Sequence, residues 1–287
     1  MKNIGWDSYE LFMHVARHGG LSGAAAVTAL SPATISRRML DFEEAVGRPL
    51  FSRSRTGYQL TAEGSALFTQ ILDMEGAARR IESWKRKSNG SPLVRIACGT
   101  WHAWMLTRNL SAIRTERDDF SLDFAIAERR ASLTHRENDI GIRAFEPQES
   151  NLAAIKLGEV AYAAYHARNA HPSVAEQWLA VCEEDAISAY LRWPRQHRAD
   201  QLTVTVNRPR SLRDLALACA GTAVLPCFVG DQDMRLVRAG EEIAELRHSQ
   251  WLVMNNDDRH RREIRTVADR MVKFVKSKAD LFAGRRP

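Results

Sequence analysis

The chain has 287 residues, 45% of them hydrophobic and 26% charged, with a formal net charge of +6. That composition is ordinary for a soluble globular protein of two or three domains, and the basic surplus favours an anionic partner without naming one. The first residues carry no signal-peptide pattern, the apolar stretch 215–229 is too short and broken by Gly221 and Pro226 to span a bilayer, and the four cysteines form no CxxC or zinc-finger spacing. The expectation is a cytoplasmic protein whose cysteines are small buried hydrophobes, with no membrane partner, metal or other cofactor.

Residues 7–17 predict a first helix with Leu11, Phe12, Val15 and Ala16 on one face, ended by Gly19-Gly20. A short alanine-rich helix follows, with Ser22 placed to cap it. The third helix opens with Ser31 as cap and Pro32 at the first helical position. Its apolar residues Ile35, Met39, Phe42 and Val46 form one stripe. At about 100° per residue, Ala33, Thr34 and Arg37 point away from that stripe, with Ser36 and Arg38 on its flanks. Two short helices, a tight turn and a helix with a small, polar, basic leading face form a helix-turn-helix, whose second helix reads the major groove. The same residues would also suit a surface helix of an ordinary bundle.

Residues 50–61 then predict a hairpin with Gly57 at its turn and Arg53 and Arg55 making the tip basic, a wing suited to phosphate or minor-groove contact. Thr61 caps a long helix to about residue 87. Its residues Leu67, Ile71, Met74, Ala78 and Ile81 recur at coiled-coil spacing, which predicts a paired, homo-oligomeric chain. The run 85–92 (KRKSNGSP) reads as a linker.

Leu21-Ser22-Gly23-Ala24-Ala25-Ala26, Leu30 to Arg38, Glu43 to Phe51 and Leu60-Thr61-Ala62-Glu63-Gly64 together resemble the LysR-type transcriptional regulators over about sixty residues. More weakly, Asn138-Asp139-Ile140-Gly141-Ile142-Arg143 and Ala220-Gly221-Thr222-Ala223-Val224-Leu225-Pro226 resemble that family's effector domain. The resemblance implies a dimer or tetramer that binds and bends promoter DNA. It also implies a sensing region with the periplasmic-binding-protein fold, two α/β lobes around a ligand cleft. Pro32-Ala33 stands where the family often has Gln-Pro, a departure that bears on base preference. The expected fold is thus an α/β protein with an N-terminal winged helix-turn-helix (4–61), a dimerisation helix (62–91) and a two-lobed effector-binding domain (92–287). Lobe 1 is expected over 92–158 and 256–287, and lobe 2 over 159–255.

Beyond residue 91, short β-rich runs at 93–98, 121–127, 138–143, 159–166, 186–190, 202–206, 222–225 and 250–254 alternate with helical segments. This predicts α/β layers, with ligands gathering past the carboxyl ends of strands. The first strand ends at Gly99, Thr100, Trp101 and His102, and in the resembling family a hydroxyl residue there contacts the effector, a position Thr100 fits. Other strand ends present Glu128-Arg129-Arg130, Tyr190, Trp193 and Asn207, and the resemblance adds Pro226. Aromatics with arginines suit an anionic or aromatic effector.

No GxSxG, HExxH, GxxxxGK[ST] or strand-following GxGxxG occurs, so the chain is read as non-enzymatic. Two other readings stay open: a small-solute-binding protein without DNA readout, and a redox-sensing regulator.

Overall fold

The computed structural model describes residues 4–54, 57–87, 91–128 and 138–285, with the side chains of 53–54, 57, 73, 79–80 and 82–87 left aside. The chain divides into two compact units, Met1–Ser88 and Asn89–Pro287.

The first unit contains helices α1 (Trp6–Arg17), α2 (Leu21–Thr28) and α3 (Pro32–Val46), a hairpin of β1 (Phe51–Ser54) and β2 (Gly57–Leu60), and the long α4 (Ala62–Lys87). Leu11, Phe12, Ala24, Ile35, Met39, Phe42, Leu50, Phe51 and Ile71 form its buried core. Phe12 sits at the centre, 5.7 Å from the Phe42 ring and 5.1 Å from that of Phe51. The long helix begins where expected, since Thr61 Oγ1 accepts the N–H of Gly64 at 2.9 Å. Gly64 has no alternative at that point, because a Cβ there would lie 2.0 Å from the Leu50 carbonyl oxygen.

Ser22 does not cap α2. The helix starts at Leu21 behind Gly20, whose φ of +131° an L side chain rarely adopts. Backbone conformation, not side-chain capping, decides that boundary. Gly57 likewise opens β2, paired with Ser54, so it closes the hairpin and does not form its tip.

The second unit holds three sheets. In the first, β3 (Leu93–Cys98), β4 (Ser121–Ile126), β5 (Ile140–Arg143), β6 (Leu152–Val160) and β12 (His248–Asn255) stand in the order β4-β3-β5-β12-β6. The β3 strand runs parallel to β4 and β5, while β12 is antiparallel to its neighbours. Helices α5 (Thr100–Arg108) and α10 (Arg262–Ser277) belong to this lobe. In the second lobe β10 (Ala223–Pro226), β7 (Tyr162–Ala167) and β11 (Leu236–Glu242) form one sheet, β8 (Trp178–Val181) and β9 (Leu202–Val206) another. A bridge between Trp178 and Thr222 links the two. Around them lie α6 (Pro172–Ala175), α7 (Ala189–His197), α8 (Pro209–Leu217) and α9 (Cys227–Gly230), and the chain closes with α11 (Ala279–Phe282).

The backbone therefore leaves the first sheet at Ala161 and re-enters it at His248. The expected lobe 2 ended at 255. Ladder pairing of His248–Asn255 with both β5 and β6 puts that strand in lobe 1 instead. Residues 159–166, expected as one strand, split at Ala161 into the end of β6 and most of β7. The stretch expected as a strand at 186–190 is the approach to α7, and Trp178–Val181 supplies the strand in its place. No helix of the described residues is long and apolar enough to cross a membrane.

Candidate functional site

Two sites are built, one in each unit. In the first, Ser31 caps α3 by accepting the Thr34 N–H at 3.1 Å, and Pro32 fills the first helical position. Ile35, Met39 and Phe42 anchor the helix in the core, which leaves Ser31, Pro32, Ala33, Thr34, Arg37 and Arg38 exposed on its first turns. Asp41 and Glu44 are exposed further along. Ser22 is exposed on the first turn of α2.

Ser36, on the flank of the apolar stripe, meets the hairpin. It is half-buried, and its hydroxyl lies 3.3 Å from the Tyr58 hydroxyl on β2, so it ties the exposed helix to the hairpin. A second tie was missed in the sequence. The Glu43 carboxylate accepts the N–H groups of Leu50 and Phe51 at 2.7 and 2.9 Å, fixing the entry of β1 against the end of α3. An acid seven residues before a backbone donor has no periodicity, so only tertiary structure reveals it. Arg55 and the Arg53 side chain lie outside the described residues; the backbone of Arg53 pairs with Tyr58.

The α4 seam divides in two. Ile71 is fully buried in the unit's own core and Leu67 packs against it, whereas Met74 and Ile81 are 48% and 55% exposed. The amino-terminal half of the stripe is used within the chain. The later half is open to solvent.

In the second unit a cleft of about 460 Å³ opens between the lobes. From lobe 1 come Gly99, His102, Glu128, Arg143, Phe145 and Gln250; from lobe 2 and the crossing come Tyr162, Ser188, Tyr190, Glu245 and Arg247. His102 is half-buried and its imidazole is pushed down to about 4, first by burial, with the Gln250 hydrogen bond opposing. It is therefore neutral. The phenols of Tyr162 and Tyr190 are pushed up by burial and then by the Glu128 charge, so both stay protonated.

Of the effector residues expected from sequence, Gly99, His102 and Tyr190 line this cleft. Thr100 and Asn207 line a second groove with Trp104, Ile126 and Arg210, which meets the cleft at Ala127 and Glu128. Trp101 is buried in the core, since its position on α5 turns it under the sheet. Trp193 packs against Trp178 and reaches the cleft only through its indole N–H, which donates to Glu245. Pro226 is buried at the end of β10, where it caps α9. Arg129 lies outside the described residues. Ser188 and Gln250 were missed, because 148 residues separate His102 from its partner Gln250 and no local pattern marks such a pairing.

The first unit, two helices supporting an exposed third and a hairpin held against it, has the architecture of a winged helix-turn-helix DNA-binding domain. The second is a two-lobed α/β unit with a cleft at the crossing. Residues 6–65 match the family of bacterial regulatory helix-turn-helix proteins of the lysR type. The RuBisCO operon transcriptional regulator of Acidithiobacillus ferrooxidans is 28% identical over 152 residues, covering 50% of this chain and 48% of that protein. The match thus spans about half the length of the curated relative. Among solved structures, CbnR, a LysR family transcriptional regulator, superimposes with a TM-score of 0.58 at 15% identity, covering 95% of this chain and 99% of CbnR. Vibrio fischeri DarR, solved in complex with DNA, gives 0.51 at 18% identity over 94% of this chain and 99% of DarR. The amino-terminal unit is a LysR-type regulatory helix-turn-helix domain, and the chain has the fold of solved LysR-type regulators.

Proposed function

We propose that this protein is a sequence-specific, DNA-binding transcriptional regulator of the LysR type, working in the cytosol as a homodimer or tetramer whose activity answers a small molecule in the interlobe cleft. The observation that carries it is the exposed leading face of α3. Thr34 and Arg37 stand clear of a core-anchored, capped helix, with Arg38 beside them. In a major groove Arg37 offers a planar donor fork to base edges. Helix insertion by its first two turns keeps Asp41 and Glu44 away from phosphates. Arg53 and Arg55, which the sequence puts in the wing, grip the backbone, and Ser22 and Ser31 add short polar contacts at their helix starts.

The open half of α4, with Met74 and Ile81, supplies the pairing surface that sets two such helices at half-sites about one DNA turn apart. A ligand that binds better to one closure of the two lobes than to another shifts the population of paired arrangements. DarR, which shares the fold, was solved bound to DNA, in line with this reading. The test is selection of bound fragments from genomic DNA by the purified full chain, repeated over a salt series. Enrichment of one motif, with affinity falling steeply as salt rises, is expected. Recovery of no motif, with retention indifferent to salt, would leave a solute-binding protein without DNA readout.

A further inference from the structure

The amino terminus of α5 already holds an acid. Glu128 Oε1 accepts the Thr100 N–H at 3.0 Å, and the carboxylate lies 3.6 Å from where a Cβ on Gly99 would stand. The first-turn N–H groups of a helix of nine residues are a natural seat for a negative charge, and here the chain's own side chain takes it. Among the described residues no cationic side chain pairs with Glu128. The other charges at the cleft are matched or acidic. Arg143 is held by Glu149 at 3.2 Å, Arg247 by Glu159 at 2.9 Å and Glu242 at 2.5 Å, and Glu245 accepts the Trp193 indole. His102 is neutral.

A second observation points into the same space. Ser188 Oγ and Gln250 Nε2 are buried and make no hydrogen bond, the buried Tyr190 hydroxyl has Glu128 and Trp101 beside it, and Ser188, Tyr190 and Gln250 all line the cleft. Gln250 is oriented by His102, whose Nε2 donates to Gln250 Oε1 at 2.6 Å, so its amide N–H groups are left over. Buried polar groups without partners are destabilising until a ligand or water completes them. Stacked Tyr162 and Tyr190 rings, 5.0 Å apart, and Phe145 add an aromatic wall.

We propose that the cleft takes a small organic cation, an amine or amidine whose nitrogen sits against Glu128 while an apolar or aromatic body with a neutral oxygen meets Tyr190, Ser188 and Gln250. This rests on reading the cleft as the effector site, and it sets a cation in place of the anion expected from the arginines. An anion seated at the start of α5 would face the Glu128 carboxylate.

Benzamidine and benzoate, matched in size and opposite in charge, are titrated into the ¹⁵N-labelled full chain. The readout is the indole N–H signal of Trp101, which lies beside the Tyr190 hydroxyl, assigned with Trp101→Phe. Benzamidine is expected to shift the signal saturably and benzoate to leave it still. Glu128→Gln should weaken benzamidine at least tenfold and admit benzoate. Tyr190→Phe, which removes only the hydroxyl, should weaken benzamidine severalfold without lowering the melting temperature. Benzoate binding as tightly as benzamidine, silence of Trp101 to both probes, or benzamidine binding that survives Glu128→Gln overturns the proposal. Duplex DNA retention at low salt is measured on the same preparation. Retention without charge discrimination sinks this inference alone, and absence of retention sinks the regulator reading whatever the probes do.

Discussion

His102 on α5 donates through Nε2 to Oε1 of Gln250 on β12 at 2.6 Å, a bond that ties the first helix of lobe 1 to the strand by which the chain re-enters that lobe. The imidazole is half-buried, stacked 6.0 Å from Phe282 and tilted 5.5 Å from Phe228, and held neutral with its pKa lowered from 6.5 to about 4. His248 is the other charge-bearing group set against it. An unfolded histidine takes a proton below about 6.5 while the folded one refuses it until about 4. The stability contribution is thus complete above 6.5 and declines through that window, by up to about 1.4 kcal/mol per pH unit. Urea midpoints should fall between pH 7.5 and 5 by the equivalent of about 2 kcal/mol. His102→Gln should flatten the profile, and an unaltered slope would contradict the burial of the charge-free ring.

Arg37 and Arg53 are expected to separate base reading from backbone grip. Arg37→Ala should cost about 1–3 kcal/mol on the selected operator and relax base preference there. Arg53→Ala should weaken all sequences alike and lower the salt slope by about one. Fluorescence anisotropy on operator and scrambled duplexes over a salt series measures both. Operator affinity untouched by Arg37→Ala would mean that α3 is not the reading helix.

Ile71 and Ile81 lie on one stripe of α4 but in different surroundings, one fully buried and the other 55% exposed. Ile71→Ala should destabilise the amino-terminal unit by about 2–4 kcal/mol in urea, since it empties a core site. Ile81→Lys should leave that transition within about 0.5 kcal/mol and shift sedimentation toward monomer. A dimer that tolerates lysine at both 74 and 81 would place the pairing surface elsewhere.

Cys98 and Cys227 are buried, while Cys182 and Cys219 are half-buried. Burial, then the Glu128 charge, pushes the Cys98 thiol up from 9.0 to about 12, and burial raises that of Cys227 as well. Since thiolate is the reactive form, alkylation at pH 8 should modify Cys182 and Cys219 in the folded protein and reach the other two only on unfolding. Mass analysis of peptides after timed quenching shows which. Early labelling of Cys98 would be the contrary result.

Much of the amino-terminal unit was legible because its signals are local. The Ser31-Pro32 start, the Ile35–Met39–Phe42 stripe and Thr61 before α4 each act within a turn or two of helix, and the structure has them as read. In the second unit β11 went unread and β6 merged with β7. Both β6 and β11 carry a register shift at a glycine of positive φ, Gly158 and Gly240, which breaks the alternation that marks a strand. The cleft was half legible. Gly99, His102 and Tyr190 follow strand ends or helix starts, whereas Glu128 and Gln250 matter through partners far along the chain.

Periodicity, caps and turn residues act over a few positions, so the residue order alone settled the helix-turn-helix, the hairpin, the long helix and the alternation of strands with helices. Which strand joins which sheet, which half of the α4 stripe stays open, and which acid seats itself on α5 depend on groups brought together across tens of residues. Those outcomes are set by burial and by hydrogen bonds that exist only once the lobes are assembled, and no window of sequence contains them.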